Sequence, residues 1–282
     1  MMTYSILVAG CGDIGAPVAQ AWQQDGQQVF AMRRGGIEFP EGVTGITGDL
    51  RHHDVQVWPE VDLIYLILTP SGRSVEAYQQ AYLEGAQALI RAYQGRKRLP
   101  FVIFVSSTSV YRDETQEIDE FTVAEPDSET AKVLLATEQL LHAHLPSLAL
   151  RCTGIYGPGR YRLIEQVHAG NPWGENRWSN RTHRDDVVSA LMLLGQQALS
   201  GATLPPMCIA TDEEPAPLWQ VRKYIAEQIG APVLQHDVVA ADQGKRIRGQ
   251  LLASLGWQPT YSSYREGYRQ LTAEYLAAKV RN

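Results

Sequence analysis

An apolar run that opens directly into glycines spaced G-x-G-x-x-G constrains this chain more than any other feature. Ser5-Ile-Leu-Val-Ala9 reads as a strand, Gly10, Gly12 and Gly15 follow at once, and Ala16 to Gln24 reads as a helix. Gly10 allows the tight turn out of the strand, Gly12 lets the backbone approach a pyrophosphate, and Gly15 lets the helix pack closely on the sheet. Asp13 and Ile14 complete the loop, and the amides at the helix N-terminus are then aimed at the anion. Turns collect glycine for backbone reasons alone, so it is the order of strand, triplet and helix that points to a dinucleotide.

The second strand, Gln28-Val-Phe-Ala-Met32, ends where an NAD-binding chain places an acid for the ribose hydroxyls. Arg33 and Arg34 stand there instead. A carboxylate would repel a 2′-phosphate, whereas a guanidinium binds it through paired hydrogen bonds and stacks on adenine. This position predicts NADP, with NAD as the alternative. Two solvated arginines in a surface turn are the competing explanation.

At 282 residues the chain can hold one large α/β domain, with or without a smaller appendage. A net charge of −6 supplies no basic footprint for nucleic acid. The longest apolar run, Leu63 to Leu68, is far too short to span a bilayer. The N-terminal apolar run leads into the glycine loop without a basic flank, so it reads as a core strand and not a signal peptide. Cys11, Cys152 and Cys208 are scattered, with no metal-ligand spacing and no disulfide framework. A cytoplasmic protein acting on a small molecule, with no metal, no membrane and no nucleic acid, is the expectation.

Strands and helices alternate through the first half, the pattern of a parallel sheet covered on both faces. The sequence predicts strands at Val43–Asp49 and Val61–Leu68, a helix from Val75 to Tyr93, and a strand at Pro100–Val105 that ends in Ser106-Ser-Thr-Ser109. A helix follows Pro126-Asp-Ser128 to about His144, and a strand covers Leu148–Ile155. Beyond Tyr156-Gly-Pro-Gly159 the regularity weakens. Asn171 to His183 reads as a polar, aromatic loop, with helices at Asp185–Gln197 and Pro217–Ile229 and a turn-rich stretch before a closing helix. No linker is evident. The expected fold class is α/β, a doubly wound parallel sheet in a single domain over 1–282, with the chain from about 156 onward forming a small C-terminal substrate lobe.

The glycine loop, Gly48-Asp-Leu50, Val105-Ser-Ser-Thr-Ser-Val-Tyr111, Leu150-Arg-Cys-Thr-Gly-Ile-Tyr-Gly-Pro-Gly-Arg160, Thr182-His-Arg-Asp-Asp-Val-Val188 and the segment Leu251–Gly267 together resemble the short-chain dehydrogenase/reductase superfamily, in its extended, atypical NAD-dependent epimerase/dehydratase branch. The resemblance runs nearly end to end. It implies a Rossmann-type sheet, with Asp49, Leu50, Leu68 and Thr69 joining the glycines and arginines around the cofactor. It implies chemistry by a proton relay beside the nicotinamide, in which a Ser orients the substrate oxygen, a Tyr acts as acid and base, and a Lys one helical turn later lowers the tyrosine's pKa. Carried over by position, the Ser is Ser107 and the Lys is Lys132, which also binds the nicotinamide ribose. Thr108, Tyr156, Arg160 and Arg181 fall among the substrate residues.

The tyrosine slot falls on Ser128. An aliphatic hydroxyl is too weak an acid to replace a phenol, since a neighbouring ammonium shifts a pKa by only a few units. After Glu125-Pro-Asp127, Ser128 reads equally as a helix cap. Tyr111, Tyr156 and His183 are the other candidates for a proton donor, with structural roles as their alternatives. Arg160, Arg162, Arg177 and Arg181 with Trp173 and Trp178 could clamp a diphosphate and stack on a sugar, or simply pack under a loop. Two readings remain: an NADP-dependent epimerase, dehydratase or reductase acting on a nucleotide-sugar or other small carbonyl or alcohol, and a catalytically impaired dinucleotide-binding protein. The helix from Val75 and the one after Ser128 are candidates to pair with their copies in a homodimer, with Tyr78, Tyr82 and Leu89 as an apolar stripe, or these residues face the sheet instead.

Overall fold

The computed structural model describes residues 3–35, 38–52, 58–114, 116–235 and 241–281. Seven strands form a parallel central sheet: β1 (Ser5–Ala9), β2 (Gln28–Arg33), β3 (Thr44–Thr47), β4 (Leu63–Leu66), β5 (Phe101–Ser107), β7 (Ser147–Cys152) and β11 (Met207–Ala210). Their order is β11-β7-β5-β4-β1-β2-β3. The chain therefore leaves β1 in one direction to β2 and β3 and in the other to β4 and β5, and the crevice beyond β1 lies where that order reverses, the place such sheets offer a ligand. The central strands are apolar along their whole length because both faces are covered: Ile6 to Ala9 and Leu63 to Leu66 are completely buried.

Most predicted elements are present, with altered bounds. The strand ending in Ser107 runs two residues further than expected. The helix from Val75 is interrupted: α2 (Val75–Tyr78) passes through a π turn at Gln79–Leu83 into α3 (Glu84–Tyr93). Leu148–Ile155 is two strands, because after Cys152 the chain turns away as β8 (Gly154–Tyr156). The polar stretch before His183 also contains strands, β9 (Trp178–Ser179) and β10 (Arg181–His183). β11 was not anticipated, since four residues give too short a run to show a period.

By contact density the chain divides into two compact units, one comprising residues up to 112 with 123–151 and 188–208, the other 113–122, 152–187 and 209–282. In the first unit α1 (Gly15–Gln24) packs Val18, Ala19 and Trp22 inward. The Trp22 indole donates to the Tyr65 hydroxyl at 2.9 Å, and that hydroxyl donates to the Leu191 carbonyl at 3.0 Å, so both buried polar groups are satisfied. Leu89 is fully buried, and Tyr82 meets Phe104 edge-on at 5.9 Å, so two members of the stripe expected to pair with a second copy pack within this unit.

The second unit is assembled from short ladders and helices. β8 pairs in parallel with β10, β9 with β12 (Ala216–Pro217) antiparallel, and β6 (Glu117–Ile118) with β13 (Arg246–Ile247) in parallel. Helices α5 (Arg162–His168), α7 (Leu218–Ile229) and α9 (Tyr264–Arg281) enclose a core rich in tyrosine, with Tyr156, Tyr264, Tyr268 and Tyr275 packed on Ile164, Val221 and Ile225. Trp173 belongs to this core and is 4% exposed. It is a packing residue here, the second of the two roles its sequence left open. Among the described residues no helix is long and apolar enough to cross a membrane.

Candidate functional site

The glycine loop closes one end of a cavity of about 260 Å³ in the first unit. Gly10 sits at φ +109°, and a Cβ there would lie 1.8 Å from the Ile67 carbonyl oxygen. Both the Gly10 and Cys11 amides donate to the Met32 carbonyl, at 3.0 and 2.9 Å, which fixes the turn against β2. Gly15 is equally confined, since a Cβ would meet the Gly10 oxygen at 2.2 Å and a Val8 methyl at 3.0 Å. Gly12 is different. It lines the cavity, and a Cβ there would meet no protein atom within 4 Å. Its missing side chain leaves room for a ligand and serves no packing. Helix α1 begins without a side-chain hydrogen bond from its N-cap residue Ile14 and without an acid in its first turn; the Ala16 amide donates to the Gly12 carbonyl at 2.8 Å, and Pro17 has no N–H.

Arg33, Arg34, Asp49, Leu50, Leu68 and Thr69 also line this cavity, alongside Gly10 and Gly12. Asp13 is exposed, Ile14 is buried and Gly15 packs on the sheet, so these three support the loop from outside the cavity wall. Arg33 holds its guanidinium 5.9 Å over the Phe39 ring, and its Nε is buried with no partner among the described residues. Arg34 is exposed. Asp49 is clamped by Arg51, which donates through Nε at 3.1 Å, Nη2 at 2.9 Å and its backbone amide at 3.0 Å. Those hydrogen bonds pull the Asp49 carboxyl down to about 2. Sequence reasoning missed Arg51, and it missed Gln80 and Ala81, which reach the cavity from the π turn. Burial pushes the Cys11 thiol up although Arg33 opposes it, so Cys11 stays neutral in the loop.

The residues expected to carry proton transfer are arranged otherwise. Ser107 ends β5 and its hydroxyl accepts from the Ser109 amide at 3.1 Å, opening a turn that buries Thr108. Ser128 precedes α4 (Glu129–His144) in an extended conformation, and its hydroxyl accepts from the Ala131 amide at 3.2 Å. It is an N-cap. Lys132 lies on the exposed face of α4, where its ammonium binds Glu129 at 2.6 Å. Ser128 and Lys132 share a helix face in principle, yet each is engaged by its own helix.

The other candidate acids are also engaged or buried. The Tyr111 hydroxyl accepts from Arg151 Nη1 at 2.9 Å, and Arg151 forms a buried pair with Glu138 at 2.6 Å. In the second unit Tyr156 stacks on Tyr268 at 4.7 Å, and burial drives its phenol pKa far upward. Helix α9 passes so close that a Cβ at Gly267 would lie 2.1 Å from the Tyr156 hydroxyl. His183 is 2% exposed, its ring lies 3.9 Å from that of Tyr261, and burial lowers its pKa. Neighbouring Asp186 accepts the Thr260 and Tyr261 amides at 2.6 and 3.1 Å, a structural anchor for that loop.

The arginine and tryptophan patch read from the sequence is dispersed. Arg181 is 7% exposed and donates to Ser179, Arg177 is ion-paired with Asp113, and Arg160 and Arg162 are exposed.

No family model matches the chain. Individual proteins do. The solved structure of a Methylobacillus flagellatus protein, provisionally classed as an NAD-dependent epimerase/dehydratase, is 30% identical, covers 100% of both chains and superposes with a TM-score of 0.83. Protein YeeZ of Escherichia coli K12 is 30% identical over 208 residues, 70% of this chain and 74% of its own length. MoeE5, solved in complex with UDP-glucose and NAD, shares the fold at a TM-score of 0.80 and 24% identity, over 98% of this chain and 99% of its own. The chain belongs to the NAD-dependent epimerase/dehydratase family.

Proposed function

We propose that this chain binds NADP(H) in the cavity beneath its glycine loop and is an epimerase, dehydratase or reductase of a small carbonyl or alcohol, with a nucleotide-sugar as the favoured substrate class. The observation that carries the reading is the pairing of Gly12 with Arg33. The one lacks a side chain at the point where a Cβ would enter the cavity, and the other brings to the same cavity a guanidinium whose Nε has no partner among the described residues. The fit of cavity to cofactor is chemical: the loop backbone at Gly12, with no side chain, lets a pyrophosphate approach, and Arg33, with Arg34 beside it, suits a 2′-phosphate. Asp49 and Leu50 suit the adenosine end, and Leu68 and Thr69 the chain that leads from it. When bound, the nicotinamide supplies hydride donation and acceptance; the chain's own residues bind and orient. Ser107, which ends β5, is assigned to orient the substrate oxygen. The nucleotide-sugar assignment draws on MoeE5, which binds UDP-glucose. A cytoplasmic location is part of the proposal.

Calorimetric titration of the full chain with NADP and NAD tests it. Tighter binding of NADP, lost in Arg33→Ala, is expected; equal affinities for the two would overturn the cofactor assignment.

A second reading, a dinucleotide-binding protein with impaired catalysis, is favoured by one observation. Ser128 in the tyrosine slot spends its hydroxyl on the Ala131 amide. NADPH consumption over a panel of sugars and aldehydes separates the two, since robust turnover excludes the impaired protein.

A further inference from the structure

We propose that Arg246 is an anion-binding arginine of the second unit, taking a carboxylate or phosphate group of the substrate; this rests on the reading of the chain as an enzyme of a small anionic substrate. The reasoning begins with how the protein disposes of its other guanidinium groups. Arg51, Arg96, Arg151, Arg177 and Arg184 are each held by a carboxylate within 3 Å. Arg33 and Arg246 are not. Each lies over an aromatic face, Phe39 at 5.9 Å and Trp178 at 5.3 Å, and each has a buried Nε with no partner among the described residues. A guanidinium resting on a ring is ordered by its flat side and keeps its edge for an oxyanion. At Arg33 that edge serves the dinucleotide cavity. Arg222 also leaves Nε and Nη1 unpaired, but it is 8% exposed and Nη2 is held by Gln166, so a ligand has no approach to it.

The backbone carrying Arg246 is fixed from several sides. The Trp178 amide donates to the Gln243 carbonyl at 2.8 Å, and Gly244, at φ +93°, runs so close that a Cβ would meet the Trp178 oxygen at 2.8 Å. The Asn180 side chain brackets the next residues, donating to the Lys245 carbonyl at 2.9 Å and accepting the Ile247 amide at 2.8 Å. Arg246 itself donates its amide to Gln116, and Arg248 to Ile118, which completes the β6–β13 ladder. This bracing holds a side chain that remains partly exposed, at 40%. Its ion pair is a loose one, Nη2 at 3.5 Å from the exposed Glu117 carboxylate. The Nε is shielded, so an oxyanion meets the guanidinium on its Nη2 side, where it gains a charge-assisted hydrogen bond in place of the loose pair with Glu117. Glu117 is the group it would displace.

The test follows the arginine Nε–H signals in ¹H–¹⁵N spectra of the NADPH-loaded chain during titration with acetate, inorganic phosphate and uridine diphosphate, with Arg33→Ala and Arg246→Ala used to assign the two signals. A saturable shift of the Arg246 signal with one of these anions is expected. Acetate points to a carboxylate source, phosphate or the nucleotide to a phosphorylated one. Arg246→Ala should weaken that binding tenfold or more, Arg246→Lys should weaken it several-fold because it keeps the charge but loses the fork, and Glu117→Gln should tighten it. No shift, a shift that rises linearly without saturating, or binding that survives Arg246→Ala overturns the proposal. NADPH affinity, read separately by its fluorescence, should be unchanged in Arg246→Ala, Arg246→Lys and Glu117→Gln. Should Arg246→Ala lose it through misfolding, Arg246→Lys and Glu117→Gln decide. If the wild-type chain fails to bind NADPH, the dinucleotide reading falls, and the same titration without cofactor still decides Arg246.

Discussion

Two helices of the first unit, α1 and α4, have starts to which the family resemblance gives a function. They begin differently. At α1 the N-cap residue Ile14 makes no side-chain hydrogen bond and the first turn holds no acid, and Gly12, three residues before the helix, lines a cavity. At α4 the amides are served from within, by the Ser128 hydroxyl, with Glu129 placed in the first turn beside the positive end of the helix dipole. A glycine that lines a cavity just ahead of a helix start leaves room for an anion; a start whose amide is taken by a capping hydroxyl is complete. The comparison teaches that a helix start in this fold is either a binding site or a structural joint, according to whether the loop ahead of it leaves room for a ligand or a hydroxyl closes it.

The strongest way to break the comparison is at Gly12. Gly12→Val should lower NADPH affinity by a factor on the order of a hundred or more, the equivalent of about 3 kcal/mol, while the melting temperature stays near wild type. The reason is that the added side chain meets the ligand's space and no protein atom. Normal binding by this variant, measured by fluorescence titration, would show that the cavity is not the dinucleotide site. Gly10→Val should do the reverse and fail to fold, because its Cβ collides with the Ile67 backbone at a positive φ.

A smaller effect is expected at Arg33. Replacement by Ala removes a charge-assisted contact worth about 1.5–3 kcal/mol, so NADP affinity should drop roughly ten- to a hundredfold. NAD affinity should change little. An equal loss for both cofactors would mean that Arg33 supports the pocket generally and does not read the 2′-phosphate.

At α4 the expected effects concern stability. Ser128→Ala should cost about 1 kcal/mol in denaturant unfolding, the typical loss of an N-cap. Ser128→Tyr should lose the same cap and bring no new turnover, because the Lys132 ammonium is held by Glu129 on the exposed face. Appearance of NADPH-linked activity in that variant would break the comparison outright and restore the proton relay to this helix. Smallest of all is Lys132→Ala, for which a change within about 0.5 kcal/mol is expected, as for an exposed i,i+3 ion pair. A larger loss would place Lys132 in a network that its exposed pair with Glu129 does not account for.

The sequence by itself determined the order of strands and helices in the sheet-forming half, the glycine loop and its three separate roles, and the arginine at the end of the second strand. Those features are local. A turn that tolerates only glycine, or a strand that is apolar on both faces, is written into consecutive residues and survives any later packing. What only the tertiary structure decided depends on groups that meet across long separations. Trp173 reads as a surface indole in its loop, yet it is buried because α5, α7 and α9 close over it. Arg51 does not announce itself, since its clamp on Asp49 and its place in the cavity wall emerge only when the chain after β3 folds against the glycine loop. Lys132 sits four residues after Ser128 in the sequence, as a relay would require, but spacing fixes only which helix face a residue occupies. Whether that face meets a ligand or solvent is set by the packing of the whole helix, and here the ammonium points outward to Glu129.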